Sequence, residues 1–215
     1  METPKDRCTK ARLLRAGRQV FAERGLKNAT IQEICDLAQA NGAAVNYHFG
    51  SKEKLYTSVL EDYYMEAERR HPRDLGITPQ SGPEERLRAF VSSFLRQTLG
   101  DGDPVAERLG KRFMQELIEP SEPFVDFSER HCRPVFDYVA GIVREMLPGL
   151  DETDTARCAS NIFGQCVHFF SFAKGVKVQM VPDLALNAGN IEGITDFIMD
   201  FSLGGIERLR RLRKG

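Results

Sequence analysis

Apolar positions recur every three or four residues along nearly the whole chain, and no stretch holds the alternation that marks a strand. The pattern predicts an all-α protein. A first helix starts near Thr9, a good N-cap, with Leu13, Leu14, Gly17, Val20 and Phe21 on one stripe and Gly25 as its stop. Gly17 costs that helix about 1 kcal/mol relative to Ala, a cost that suits a neighbouring helix in close approach. Thr30-Ile-Gln-Glu33 has the form of a capping box, in which the Thr hydroxyl takes the third helical amide and Glu33 reaches back to the cap amide. Ile31, Ile34, Cys35 and Ala38 then face inward. After Gln39–Asn41 a short helix follows, with Val45 and Phe49 as its buried pair and Gly50 as its stop. Ser51 caps a longer helix that runs to about Arg70 through Leu55, Tyr56, Val59, Leu60 and Tyr63.

Residues 71–83, with three prolines and two glycines, are the clearest loop. Further helices are predicted over 84–99, 104–118, 123–147, 154–173 and 191–213. They are separated by Gly100–Pro104, Glu119–Pro123, Pro148-Gly149 and a looser 174–190. No internal repeat or low-complexity tract is present.

Composition narrows the class. The chain has 215 residues, 41% of them hydrophobic and 28% charged, which suits a globular protein with a real core. No apolar run approaches a membrane span, and nothing apolar precedes Ala11 that would serve as a secretory signal, so a cytoplasmic protein without membrane association is expected. Five widely spaced cysteines are then expected to be free thiols. Net charge is −1, but residues 1–54 hold ten Lys/Arg against six Asp/Glu, while the remainder holds twenty against twenty-five. A basic N-terminal module on an acidic body is a plausible footprint for DNA.

Residues 30–56 carry the chemistry. Two short helices joined by a tight turn, followed by a Ser-Lys pair opening a third, are the parts of a helix-turn-helix, whose second helix enters the major groove. Ala43 and Ala44 allow close approach, Asn41 and Asn46 offer hydrogen bonds to bases or phosphates, and Tyr47 and His48 offer donors to phosphate. Lys52 lies in the first turn of the next helix, a natural anion site. The same residues also fit an ordinary helical corner, with Tyr47 and His48 as plain surface or core.

Residues 9–56 resemble the DNA-binding domain of the TetR/AcrR family of bacterial regulators. The likeness rests on Phe21-Ala-Glu-Arg-Gly25, Ala29-Thr30, Ile34, Ala38, Ala43-Ala44-Val45 and Asn46-Tyr-His-Phe-Gly-Ser-Lys-Glu-Lys-Leu-Tyr56. The resemblance implies a helix-turn-helix domain over 1–54, with the motif at 30–49, and an effector-binding and dimerisation domain over 55–215. It also implies a homodimer on a palindromic double-stranded DNA operator. Thr30, Gln32, Asn41, Ala43, Asn46, Tyr47, His48 and Lys52 are the candidate DNA contacts. One departure stands out: Gln39-Ala40 replaces the family's usual Gly-Val, so Gln39 must take a turn conformation that Gly prefers, at about 1 kcal/mol. Gly42 is expected to loosen the second helix, which also lacks Arg and Lys.

In the body, Glu116-Leu-Ile-Glu-Pro120, Arg133-Pro134 and Phe163-Gly-Gln-Cys166 resemble the C-terminal domain of a TetR subgroup that includes CecR. That likeness implies a sensor of small, hydrophobic or drug-like molecules, most often a repressor released by its effector. Pocket candidates are Phe113, Met114, Phe124, Phe127, Phe136, Tyr138, Phe163, Gln165 and His168. Dimer-interface candidates are Phe169, Phe170, Ile194, Phe197, Ile198 and Phe201, on the last two helices. For each, plain core packing is the competing reading. His131, Cys132, Cys158, Cys166 and His168 match no compact metal spacing, and no nucleophile–base pair or phosphate loop is present. No metal, cofactor or catalytic residue is therefore expected. A metal- or redox-responsive sensor on the same scaffold, and a DNA-binding protein without an effector, are the alternatives. The arginines at 208–213 read as a solvated helix end that complements its dipole.

Overall fold

The computed structural model describes residues 4–99, 103–173 and 188–214, and among them every regular element is helical. In chain order these are α1 (Pro4–Asn28), α2 (Ile31–Ala38), α3 (Ala43–Phe49), α4 (Lys52–Arg70), α5 (Pro83–Leu99), α6 (Pro104–Ile118), α7 (Glu122–Phe127), α8 (Arg133–Met146), α9 (Glu152–Ala173) and α10 (Ile191–Lys214). The expected separators Gly100–Gly102 and 174–187 lie outside the described residues. No helix among the described residues is long and apolar enough to cross a membrane.

Two boundaries differ from the sequence reading. α1 starts at Pro4, so Thr9 lies inside it; proline is tolerated in a first turn because its missing N–H has no helical partner there. The helix expected over 123–147 is interrupted. α7 passes into a π turn at Ser128–Cys132 before α8 begins. Pro134 explains the break: it has no amide to donate to the carbonyl four residues back, and its ring crowds that carbonyl.

Internal contacts divide the chain into two compact units. The first is Met1–Glu66 with Gly102–Glu129. Here α1 packs against α2, α3 and α6. Leu13, Phe21, Ile34, Val45, Leu55, Val59, Leu60 and Leu109 are fully buried. Gly17 does what its cost suggested: a Cβ there would stand 3.1 Å from Val59 Cγ2, so its absence lets α1 and α4 approach. The Arg18 guanidinium adds a polar clamp, donating to Asp62 at 2.7 Å and Glu66 at 2.8 Å on α4. Gly25 takes φ 70°, ending the regular part of α1. Phe49, expected to be buried with Val45, is only half-buried, and the Lys10 ammonium lies 5.9 Å from its ring centroid.

The second unit is Ala67–Asp101 with Arg130–Gly215. Its core joins α5, α8, α9 and α10 through Leu87, Val91, Leu95, Val139, Ile142, Val143, Ala159, Cys166 and Ile198. The inward stripe of α10 (Ile191, Ile194, Thr195, Ile198, Met199, Ser202, Ile206) follows helical periodicity. Phe197 and Phe201 fall on its flank, outside the stripe, 58% and 68% exposed.

Candidate nucleic-acid interface

The capping box forms as read. Glu33 N donates to Thr30 Oγ1 at 3.2 Å, and Thr30 N donates to Glu33 Oε2 at 3.1 Å. The hydrogen bonds from Thr30 hold the Glu33 carboxyl below the usual range, with Arg24 adding to the effect. α2 ends at Gln39, which adopts the left-handed conformation at φ 49°, ψ 49°. The turn closes through Gln39 N to Asp36 O at 3.2 Å and Ala40 N to Cys35 O at 2.9 Å. A left-handed non-glycine residue is strained by its Cβ. Gln39→Gly should therefore raise the melting free energy by up to about 1 kcal/mol, reduced by glycine's larger unfolded-state entropy. A lowered melting temperature in that variant would show that relief of the Gln39 backbone strain is smaller than the entropy glycine adds to the unfolded chain.

Asn41 starts the next element. Its Oδ1 accepts from Ala43 N at 2.9 Å, capping the first turn of α3. Gly42 itself is helical, at φ −53°. Val45 is fully buried and orients α3. At 100° per residue, Ala43 and Tyr47 then point directly away from the core and Asn46 flanks them. All three are exposed, Tyr47 by 73%. His48 is half-buried, its ring 4.8 Å edge-on from Tyr47. Gly50, at φ 85°, stops the helix, with its N–H bonded to Asn46 O at 3.0 Å. Ser51 Oγ accepts from Lys54 N at 3.2 Å and caps α4.

Two further pairings hold the motif together. Lys52 Nζ donates to Ala29 O at 2.9 Å, pinning the start of α4 to the residue before the capping box. Gln32 Nε2 donates to Asp36 Oδ1 at 2.7 Å along α2. The second follows the familiar i, i+4 geometry and was within reach of sequence reasoning. The first spans 23 residues and was not.

The nine pocket candidates do not form one group. Phe113, Met114, Phe124 and Phe127 are buried in the first unit. The rings of Phe113 and Phe124 lie 5.7 Å apart edge-on, and Tyr64 stacks on Phe113 at 5.9 Å. Tyr138 and Phe163 are half-buried beside Phe90 in the second unit, and Phe136 is half-buried against the same core. Gln165 and His168 lie elsewhere, in a groove on α9 and α10 that Phe169, Phe197 and Phe201 also line. Ser160, Asn161 and Gly164 share that groove and follow the same i, i+4 spacing, a signal the sequence reading passed over. Among the interface candidates, Phe170, Ile194 and Ile198 are buried in the unit's own core, Phe169 is half-buried, and Phe197 and Phe201 are exposed with rings stacked 6.3 Å apart.

Glu116, from the motif at 116–120, is a corner residue. Its Oε2 accepts from Ser121 N at 2.8 Å and Ser121 Oγ at 2.7 Å. It also hydrogen-bonds the buried Tyr56 hydroxyl. These residues and Arg112 line a cleft of about 650 Å³ between the ends of α1 and α6. Burial pushes the Cys132 thiol up to about 11 and the Cys166 thiol up to about 12, which makes both poor nucleophiles.

A capped helix-turn-helix on a polar outward face, joined to an all-helical body, defines a class of helical DNA-binding proteins. Residues 13–59 match the family profile described as bacterial regulatory proteins, tetR family, and residues 83–206 match that of the C-terminal domain of the HTH-type transcriptional dual regulator CecR. The chain belongs to the TetR family, with a C-terminal domain of the CecR type. It is similar to the HTH-type transcriptional repressor NicS of Pseudomonas putida, 38% identical over 87 residues that span 39% of each protein. It is also similar to the dual regulator CecR of Shigella flexneri, 29% identical over 161 residues, 71% of this chain and 70% of CecR. The matched stretches thus range from well under half to about two thirds of these relatives' lengths. A TetR-like transcriptional regulator from Rhodococcus sp. RHA1 shares the fold, with a TM-score of 0.66 at 15% identity, covering 93% of this chain and 96% of that one.

Proposed function

We propose that the protein is a DNA-binding transcriptional regulator of the cytoplasm, with residues 1–54 holding a palindromic operator and residues 55–215 supplying effector binding and dimerisation. The observation that carries this reading is the outward face of α3. Ala43, Asn46 and Tyr47 stand exposed on a helix whose opposite side is anchored by buried Val45. Thr30, Gln32, Asn41, His48 and Lys52 lie around that face, on the capping box, the turn and the start of α4, where phosphate contacts would fix register.

The second copy docks on the α9–α10 groove. Phe197 and Phe201 form an exposed apolar strip continuous with Phe169, and two such helix pairs bury one another as a four-helix interface. A small hydrophobic or drug-like effector binds the body and favours a dimer state in which the two α3 helices no longer match successive major grooves, about 34 Å apart. It lowers DNA affinity only by its differential affinity for the two states. Similarity to the repressor NicS supports repression as the sense of control.

The test is selection of genomic fragments by the purified full chain, followed by footprinting of those recovered. A palindromic footprint with half-sites one helical turn apart is the expected result. Recovery of no fragment above background at low salt would overturn the reading.

A further inference from the structure

We infer that α3 reads A·T base pairs, with Asn46 as the adenine reader and Asn41 excluded from that role. This inference rests on the proposal that α3 faces the major groove. Guanine is read chiefly by Arg or Lys and cytosine by Asp or Glu, and Ala43–Phe49 contains none of these. With Tyr47 and His48, ring against ring, assigned to phosphate, the exposed face of α3 keeps an Asn amide, which pairs bidentately with adenine N6 and N7, and a small apolar side chain against the thymine methyl.

The two asparagines near that face are not equivalent. A bidentate adenine contact needs one donor and one acceptor from the same amide. Asn41 Oδ1 is engaged by Ala43 N at 2.9 Å, so turning both halves of its amide toward a base would cost α3 its cap. Asn41 suits a phosphate oxygen. The Asn46 side chain is exposed, and among the described residues it has no hydrogen-bond partner within the chain. Both halves of its amide are available. Ala43, one turn earlier, sets a methyl group on the same face, where a thymine methyl can pack. Asn46 is thus a specificity-determining residue, and Asn41 shapes the helix that presents it.

The experiment selects duplexes from a randomised pool with the full-length protein and with Asn46→Ala, Asn46→Asp and Asn41→Asp. The wild type should select an adenine at one position per half-site by about tenfold or more. Asn46→Ala should reduce that preference to near uniform and leave the other positions unchanged. Asn46→Asp, which can only accept, should move the preference toward cytosine. Asn41→Asp keeps the cap oxygen and should leave the adenine preference in place. Replacing the selected adenine by 7-deaza-adenine should weaken wild-type binding and leave Asn46→Ala unaffected. If Asn46→Ala fails to fold by circular dichroism, the Asn46→Asp and 7-deaza results decide. Selectivity unchanged in both Asn46 variants, or loss of selectivity at a G·C pair instead, overturns the inference and leaves DNA binding intact. A wild type that selects no sequence overturns the inference as well, and one that retains no duplex at low salt overturns the DNA-binding reading itself.

Discussion

Replacing Phe197 and Phe201 together by glutamate is expected to leave a folded monomer with operator affinity lowered by about 100-fold or more. Both rings are more than half exposed and lie beside the core stripe of α10 rather than in it, so their removal opens no cavity in the unit's core. Two carboxylates per copy, facing their symmetry mates across an apolar contact, would be desolvated without partners, a strongly unfavourable arrangement. The loss on DNA follows from linkage: the second half-site is bound at the effective concentration set by the dimer, and a monomer forfeits that gain. Sedimentation and anisotropy on a two-site duplex check both parts. A variant that stays dimeric would remove the groove from the interface. Ile198→Glu makes a useful contrast, because Ile198 is fully buried in the chain's own core and its substitution should unfold the unit.

The Tyr47→Ala, Lys52→Ala double variant should also fold and bind operator about 10- to 100-fold more weakly, with a shallower salt dependence. Tyr47 is 73% exposed, so its truncation sacrifices little packing. Lys52 brings the only formal charge of the pair. Each lysine neutralising one phosphate contributes roughly one to the slope of log affinity against log salt, so a dimer should lose about two. Lys52 also donates to Ala29 O, so thermal melting must accompany the binding curve. Unchanged affinity and slope in a folded double variant would remove these residues from the contact surface.

Local rules carried most of the fold in the sequence. Helix periodicity set the elements, Thr30 and Glu33 announced their capping box, and Gln39 was marked as left-handed by its place in a turn that favours glycine. These depend on residues within four positions of one another. What the sequence could not supply depends on distant partners. Lys52 finds a carbonyl 23 residues earlier. Glu116 finds Tyr56 across the first unit. The candidate site divided along the same line. The exposed face of α3 follows from one buried valine and a helical period. The allotment of aromatic residues to core, cavity or interface depends on how helices face one another, so nine pocket candidates became three separate groups. The π turn is legible in part, since Pro134 lies within the predicted helix and cannot donate to the carbonyl four residues back.

The Glu116 corner also places an optical reporter in the first unit. The chain has no tryptophan and five tyrosines. Burial, and then the adjacent Glu116 carboxylate, raise the Tyr56 phenol well above its ordinary range. Its native form therefore stays protonated where an unfolded tyrosine ionises, near pH 10. Above that pH the unfolded state has the lower proton affinity to satisfy, so the Tyr56 contribution to stability is complete below about pH 10 and declines as pH rises toward the native value. Absorbance of the tyrosinate band in an alkaline titration should show Tyr56 ionising late, as should Tyr138, which burial also raises, with the Tyr56 step accompanied by loss of helical circular dichroism. Tyr56→Phe should remove its share of the late absorbance and leave that of Tyr138 in place. Because Tyr56 lies in α4, seven residues beyond the end of α3, the same absorbance signal offers a label-free way to follow opening of the first unit.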